Sequence, residues 1–264
     1  MEPAGLTVGV IGLAGLFNNA VDCFDYVQIG RKFGKNFQIS LLKLDAARLQ
    51  LSRWGQSLGL GKSLEGVQTL DDTTLSAEDV SQAERTLGQI QDLFADAEGI
   101  SKRYQNQGWP EQNLAIHDPS ADLNPIPASL HQKMRELAIK RQNQTSLKKK
   151  AKWALYEEKH FSRLIEDVTE LVNSLVTLFP AAQPAQRNLC DIEVSEMDFE
   201  GSLPVLKEVA AGQDSNLEAA LSRRAAAHQP TGYSYNITFS GGNNSGLQLG
   251  HNSGTINGLR WGGA

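Results

Sequence analysis

The side chains that most often carry chemistry are few and scattered along this chain of 264 residues. The two cysteines, Cys23 and Cys190, form no CxxC or Cys/His cluster that could bind zinc, and two cysteines cannot build a disulfide scaffold. The histidines show neither the spacing of metal ligands nor that of a catalytic triad; they are His117, His131, His160, His228 and His251. We therefore expect no catalytic residue, no metal site and no cofactor, and the chain is not expected to be an enzyme.

One basic stretch could bind a partner. Ten Lys or Arg but only three Glu lie between Lys133 and Arg163, including Lys148, Lys149 and Lys150. The stretch is either a solvated helix face or a surface for an acidic partner or an anionic membrane leaflet, near which each basic group contributes about 1 kcal/mol. Nucleic acid is not an expected partner, because no aromatic residues alternate regularly with the basic ones and the net charge of the chain is −5.

An uncharged, largely apolar run opens the chain. Residues 3–21 carry no charge; as a helix they would span about 28 Å, close to the roughly 30 Å hydrocarbon core of a bilayer. The run is predicted either to be buried in a helical core or to insert into a membrane, and a helix marginal in both settings could be buried first and extruded later. Asn18 and Asn19, followed by Asp22 and Asp25, weaken the case for a permanent span. The candidate insertion residues combine a stripe of small residues, which lets membrane helices approach closely, with its apolar neighbours: Gly5, Gly9, Gly12, Leu13, Gly15, Leu16 and Phe17.

The elements that must position these residues are predicted to be helices. Ser76 and Asp79 have the spacing of a capping box, and the apolar residues after them recur at the spacing of an amphipathic helix: Val80, Ala83, Leu87, Ile90, Phe94, Ala97 and Tyr104. A second long helix is predicted over 146–179, ended by Pro180, and shorter ones over 37–58, 129–142, 203–211 and 217–227. No strand-like alternation precedes Tyr233, so the sequence predicts an all-α bundle.

The composition changes sharply around residues 225–230. Residues 228–264 contain one Arg and no Lys, Asp or Glu, whereas nine of them are Gly, five Asn and four Ser. We therefore divide the chain into a helical domain, residues 1–227, and a Gly/Asn-rich tail, residues 228–264. The apolar share of 40% is slightly below the globular average, as expected when part of the chain enters no core.

The tail repeats with a period of eight. Short strands separated by Asn/Gly turns are expected to form a β-arch or β-solenoid stack. One copy buries too little apolar surface to offset its ordering entropy and should be disordered, whereas stacked copies pair every backbone group as amyloid. The alternative is a flexible tail without a role. The candidate amyloid core is Asn236, Ile237, Phe239, Asn244, Leu247, Gln248, Leu249, Gly250, Asn252, Ile256 and Gly258.

Several blocks resemble the HeLo domain of the fungal HET-S/HET-s proteins, over roughly residues 1–222. The most specific block is GLFNNAVDCFDYVQIG at 15–30. The others are Arg48 with LSRWG at 51–55, SKRY at 101–104, and RQNQTSLKK at 141–149 followed by WALY at 153–156.

This resemblance implies a helical bundle, with or without a short β-hairpin, whose N-terminal helix within residues 1–30 is exposed on activation. Exposure permeabilises membranes and kills the cell, in heterokaryon incompatibility or related immune-like responses. Asp22 is carried over as a functionally sensitive position. The non-toxic prion form of the family has proline after the Gly-Arg pair, whereas this chain has Lys32 after Gly30 and Arg31, which favours the toxic type.

The tail carries a resemblance of its own. Its Leu247-Gln248-Leu249-Gly250 is similar to the tetrad of the RHIM amyloid motif of animal necroptosis proteins and of the RHIM-like motif that fungi append to cell-death effectors. It does not match the longer, duplicated amyloid repeats of the HET-S/HET-s proteins. A RHIM-like tail implies an upstream NOD-like receptor with a similar motif, whose oligomer templates the tail.

We interpret the chain as a cell-death execution protein that resides in the cytoplasm and moves to the plasma membrane on activation. Met1-Glu2 lacks the positive charge of a secretory signal. The expected partners are further copies of the chain, through the tail or a weak HeLo dimer, a NOD-like receptor and membrane lipids. The alternatives are a non-toxic prion-type adaptor or antitoxin that assembles through the tail without membrane insertion, and a helical scaffold with an inert tail.

Overall fold

The structure is a computed structural model that describes residues 3–30, 36–61, 76–107, 115–142 and 152–228. In the first helix the described side chains begin at Gly12. The chain divides into two compact units, Met1–Ala225 and Ala226–Ala264. The following paragraphs concern the first unit and the helix that reaches its end.

The described residues are mostly helical, as predicted. In chain order they form α1 (Pro3–Cys23), β1 (Val27–Ile29), α2 (Phe37–Ser57), α3 (Ala77–Asn106), α4 (Pro119–Asp122), α5 (Pro125–Arg141), β2 (Trp153–Leu155), α6 (Glu158–Leu178), α7 (Gln183–Met197), α8 (Ser202–Ala210) and α9 (Ser215–His228). The predicted helices over 37–58, 129–142, 203–211 and 217–227 are confirmed as α2, α5, α8 and α9, with ends that differ by up to four residues. The sequence did not predict α4 and α7.

The predicted capping box begins α3. The Ser76 hydroxyl accepts a hydrogen bond from the Asp79 amide at 3.0 Å and donates one to the Asp79 carboxylate at 2.7 Å. The carboxylate thus returns to the hydroxyl of the cap, whereas in the usual capping box it reaches the backbone amide. The predicted inward residues from Val80 to Ala97 are buried and Tyr104 is half-buried, so the helical periodicity identified the core face of α3.

The long helix predicted over 146–179 is wrong in its first part. Trp153–Leu155 is a strand, all three residues of which are buried, and α6 begins only at Glu158. Three consecutive buried residues are too few to reveal a period, so a strand could not be distinguished from a helix there. The rest is confirmed: Ile165, Val168, Val172 and Leu175 are buried, and α6 ends before Pro180.

The two strands are also not the hairpin that the resemblance left open. β1 and β2 run parallel, with Val27 opposite Trp153 and Ile29 opposite Leu155. Parallel strands cannot be joined by a tight turn, and here the helices α2, α3, α4 and α5 lie between them in the chain. The pair therefore ties the segment after α1 to the segment before α6.

Helix α2 lies at the centre of the bundle, with 17 of its 21 residues buried. One side, including Leu51 and Trp54, packs in a core with α1, α3 and α6. The other side, including Leu42 and Leu49, packs in a second core with α5, α7, α8 and α9. A helix covered on all sides normally carries apolar residues all round, yet α2 carries Arg48 and Arg53 in its buried length. Both arginines therefore need partners inside the protein.

Candidate functional site

The described part of α1 is packed into the bundle. Leu13 and Phe17 are fully buried and Leu16 is half-buried against the same core, whereas Gly12 and Gly15 are exposed. Gly5 and Gly9 lie in the part of α1 whose side chains are not described. Among the described residues, no helix combines the length and the hydropathy needed to span a bilayer. In this structure the candidate insertion residues that can be placed therefore belong to a core helix.

Phe17 holds α1 against α2 through a close approach to a glycine. A Cβ atom on Gly55 would lie 2.3 Å from the Phe17 ring, a distance that no side chain could tolerate without movement. The ring also lies beside Trp54, with ring centroids 6.2 Å apart. Only glycine at position 55 leaves room for Phe17, so the LSRWG block has a direct role in seating α1.

Asp22, the sensitive position implied by the resemblance, lies in the last turn of α1. Its carboxylate accepts a hydrogen bond from Gln142 Nε2 at 2.9 Å. Burial raises the pKa of Asp22 above its ordinary value; the hydrogen bond from Gln142 acts against that rise, and the nearby charge of Asp25 adds to it. Asp22 is thus a carboxylate in a setting that disfavours its charged form.

Asp25 lies two residues after the end of α1, and its carboxylate accepts more hydrogen bonds than that of Asp22. Arg48 Nη1 and Nη2 donate to its two carboxylate oxygens at 2.8 and 2.7 Å, and Arg135 of α5 donates to it as well. The Arg48 side chain is 1% exposed, and its Nη2 also donates to Gln142 Oε1 at 3.4 Å. We call Asp22, Asp25, Arg48, Arg135 and Gln142 the clasp, because together they attach the end of α1 to α2 and α5.

The chain beyond the clasp is fixed by backbone hydrogen bonds. The Gly30 amide donates to the Leu155 carbonyl at 2.8 Å, and the His117 amide donates to the Ile29 carbonyl at 2.7 Å. A Cβ atom on Gly30 would lie 2.3 Å from the Tyr156 ring. The C-terminal end of α1 is thus anchored on both sides of Asp25. Lys32 and the whole candidate amyloid core lie outside the described residues.

A second polar cluster lies within the bundle. Arg53 of α2 donates to Glu193 at 2.6 Å and to Asp214, and Arg141 of α5 donates to the other Glu193 oxygen at 2.5 Å. All four side chains are at most 2% exposed. Burial lowers the pKa of Arg53, but the carboxylates of Asp214 and Glu193 outweigh it and hold that pKa above its ordinary value. We call these residues the inner ion cluster.

The two cysteines and the described part of the basic stretch are accounted for by contacts within the bundle. Cys23 and Cys190 are buried and form no disulfide. Burial raises the pKa of the Cys190 thiol, so the reactive thiolate is disfavoured.

Within the described part of the basic stretch, five residues pair with carboxylates inside the chain: Lys133, Arg135, Arg141, Lys159 and Arg163. The interpretation as one solvated face is therefore wrong for Arg141, which is buried. Among the described residues, no group of three or more His, Cys, Asp or Glu could hold a metal ion.

Apart from Asp22, which the resemblance singled out, sequence reasoning missed the residues of the two clusters. Arg48, Arg53, Arg141 and Gln142 fall inside the blocks of resemblance, but nothing in their spacing assigned them partners. Asp214 and Glu193 lie outside those blocks. The one available signal was charge within α2, which a wholly buried helix does not normally carry.

Comparisons with known proteins find two separate family matches along the chain. The sequence profile of the HeLo family, described as prion-inhibition and propagation, matches residues 5–206, and that of the SesB domain on fungal death-pathway protein matches residues 231–258. The resemblance of the tail named a RHIM-like motif, whereas the profile that matches there is SesB.

Two curated proteins of Podospora anserina are similar to the chain. Heterokaryon incompatibility protein s and heterokaryon incompatibility protein S are each 36% identical over 231 residues, which is 86% of this chain and 76% of the relative. The solved structure of the HET-s N-terminal domain matches with a TM-score of 0.72 at 36% identity, covering 81% of this chain and 97% of that one. A mutant of that domain matches with a TM-score of 0.71 at 35% identity, covering 81% and 98%. These likenesses support a role related to cell death.

Proposed function

The chain belongs to the HeLo family, and from this membership we propose that it is a cell-death effector whose N-terminal helix is released into a membrane when its tail assembles. In this proposal the bundle is the effector and the tail is the receiver. The resting protein is located in the cytoplasm, and the activated protein acts at the plasma membrane. It has no substrate and no cofactor.

The observation that carries the proposal is the way α1 is held. Among its described apolar side chains, Leu13 and Phe17 are fully buried. Its only charged residue, Asp22, lies at the end that the clasp attaches. Residues 3–21 therefore form an uncharged helix, and the resting bundle covers Leu13 and Phe17 in its described part. An effector of this kind needs a trigger that loosens the bundle without unfolding the chain in advance.

Assembly of the tail supplies such a trigger. In amyloid, successive layers are about 4.7–4.8 Å apart, whereas a domain of this size has a radius of gyration of about 17 Å. Stacked tails therefore bring bundles closer together than folded bundles can pack. The resulting strain favours opening of the bundle, and the high local concentration favours insertion of several α1 helices together.

The partner that starts assembly is proposed from the tail. An oligomeric NOD-like receptor bearing a similar amyloid segment would present a preformed layer, onto which the tail of this chain adds with its backbone groups paired. The SesB match at residues 231–258 covers the eight-residue repeats and supports their role as the templated segment.

Dye release from anionic liposomes tests the proposal. We expect full-length protein to release dye only after addition of preformed fibrils of residues 229–264. A truncated protein that ends at residue 228 should stay helical by circular dichroism and release no dye with or without fibrils. If the seeded full-length protein forms fibrils but releases no dye and kills no cells, the non-toxic adaptor is the correct function. If the truncated protein is equally toxic, the tail is not the trigger.

A further inference from the structure

The inner ion cluster and the clasp meet at two consecutive residues. Arg141, the last residue of α5, binds Glu193 in the inner ion cluster, and Gln142, the next residue, binds Asp22 in the clasp. Both side chains are buried. The two clusters therefore share one short piece of backbone at the C-terminal end of α5.

The far end of the inner ion cluster is the start of α9. One Asp214 carboxylate oxygen binds Arg53, while the other accepts a hydrogen bond from the Leu217 amide at 3.1 Å and so caps α9. In sequence α9 leads directly into the tail. A continuous set of contacts thus runs from the cap of α9 through Arg53, Glu193 and Arg141 to Gln142 and Asp22.

From this continuity we infer that the inner ion cluster couples the start of α9 to the end of α1, so that displacement of α9 loosens the clasp. The inference rests on the proposed function for its purpose, but the coupling itself is a property of the resting bundle. Glu193 is the central residue, because it is the one carboxylate that receives both arginines. Glu193 acts as a positioning residue for α1: its hydrogen bonds are to Arg53 and Arg141, and it acts on α1 only through them.

Charge balance explains why the loss of one residue affects the whole inner ion cluster. Removing Asp214 from the cluster leaves Arg53 and Arg141 to share Glu193 alone, inside a region where an uncompensated charge is costly. The arginines must then reorient or draw in water. Because Arg141 precedes Gln142 directly in the chain, any backbone shift at Arg141 is passed on to Gln142. Networks of buried polar groups are strongly interdependent for this reason.

Two buried glutamines lie on helices that also carry members of the inner ion cluster. Gln56 of α2 and Gln186 of α7 are both fully buried, and neither side-chain amide has a hydrogen-bond partner among the described residues. A buried amide without a hydrogen-bond partner lowers the stability of the packing around it.

Hydrogen exchange in full-length soluble protein tests the coupling. In Glu193→Gln we expect the amides of residues 18–23, at the end of α1, to exchange at least 10-fold faster than in the wild type. The reference is residues 87–94 in the middle of α3, which report global opening. The matched control is Glu196→Gln. It removes the same charge from the same helix, α7, and breaks the ion pair of Glu196 with Lys133 of α5. Glu196 does not belong to the inner ion cluster or the clasp.

A selective increase at the end of α1 in Glu193→Gln and none in Glu196→Gln supports the inference. Equal increases at residues 18–23 and 87–94 indicate general destabilisation and overturn it, and so does an unchanged rate at residues 18–23. If Glu193→Gln does not fold, Gln142→Leu replaces it. Because coupling free energies are reciprocal, Gln142→Leu should raise exchange in residues 217–221 of α9, and unchanged exchange there overturns the inference.

The same proteins separate this inference from the proposed function. If the coupling exists, Glu193→Gln should shorten the lag of fibril-seeded dye release relative to Glu196→Gln. If exchange at residues 18–23 rises only in Glu193→Gln but the seeded wild type releases no dye, the coupling is supported and the proposed function is rejected. Seeded dye release that is identical in the two variants, without selective exchange, keeps the proposed function and rejects the coupling.

Discussion

Arg48 donates a hydrogen bond from each of its two terminal nitrogens to the carboxylate of Asp25, at 2.8 and 2.7 Å. The pair joins the central helix, α2, to the first turn after α1. The guanidinium is 1% exposed while the carboxylate is 31% exposed, so the pair lies at the edge of the core. An arginine buried in this way depends on its carboxylate more than the carboxylate depends on it.

Asp25→Asn should therefore destabilise the bundle by about 2–3 kcal/mol, somewhat less than the loss expected for a fully buried pair because Asp25 is partly exposed. The measurement is urea unfolding followed by circular dichroism. Glu98→Gln is the matched control: the Glu98 side chain is also 31% exposed, but its partner Lys102 is 66% exposed, so its loss should stay below about 1 kcal/mol. Equal losses in the two variants would show that Arg48 is compensated elsewhere.

Gly55→Ala should loosen α1, because its methyl group would meet the Phe17 ring at 2.3 Å. Overpacking of this kind costs about 1–3 kcal/mol. Gly88→Ala in α3, which has no heavy atom within 4 Å of the added carbon, should instead be neutral or stabilise by up to about 1 kcal/mol. Thermal melting gives both values. Adding Phe17→Leu to Gly55→Ala should recover part of the loss, and a purely additive loss would contradict the proposed contact.

The pKa of Asp22 is raised in the folded protein, which fixes the sign of a pH effect. A carboxyl group with a raised folded pKa favours folding while it is protonated, and this contribution is lost as the pH rises through that pKa. Asp22→Asn mimics the protonated form and keeps an acceptor for Gln142, so it should melt at a higher temperature than the wild type at pH 7. The difference should shrink as the pH falls toward the ordinary pKa of an aspartic acid.

The control for this pH effect is Asp22→Leu, which removes both the charge and the acceptor for Gln142. It should be less stable than Asp22→Asn at every pH. A difference between Asp22→Asn and wild type that stays constant from pH 7 to pH 4 would exclude titration of Asp22 as the cause. In dye-release assays, Asp22→Asn should respond to fibrils more slowly, because its clasp is more stable.

The double variant Gln248→Asp with Gly250→Asp should abolish seeding by fibrils of residues 229–264. In stacked copies each new carboxylate would lie directly over its equivalents in neighbouring layers, where like charges are poorly solvated. Fibril formation followed by thioflavin fluorescence measures the effect. Gln248→Asn with Gly250→Asn is the uncharged control of matching size. Unchanged kinetics in the aspartate variant would exclude these positions from the amyloid core.

Thr7→Lys should keep near-native melting and normal fibril seeding but reduce dye release and cell killing. A lysine within the uncharged run costs up to about 2.5–3.5 kcal/mol on entering the middle of a bilayer, less near the interface. The contacts described above that hold α1 in the bundle lie at Phe17 and Asp22, away from Thr7 in the sequence. Thr7→Val, which adds no charge, is the control. Wild-type dye release by a well-folded Thr7→Lys protein would show that residues 3–21 do not enter the bilayer as proposed.

The sequence alone determined the features that depend on neighbouring residues. The capping box at Ser76 and the apolar spacing of α3 are local, so they identified both the helix and its buried face. The change in composition near residue 228 likewise separated the tail. The blocks of resemblance located Asp22 and the LSRWG segment but not their contacts.

Only the tertiary structure decided which distant groups meet. β2 was mistaken for helix because its three buried residues become a strand only when Val27–Ile29 pairs with them. α7 was missed because its buried face includes Gln186 and Glu193, which break the apolar period. Glu193 is acceptable in the core only because Arg53 and Arg141, 140 and 52 residues away in sequence, both bind it there. Helical periodicity reports which side of one element is apolar, whereas compensation of a buried charge depends on a partner that no local pattern contains.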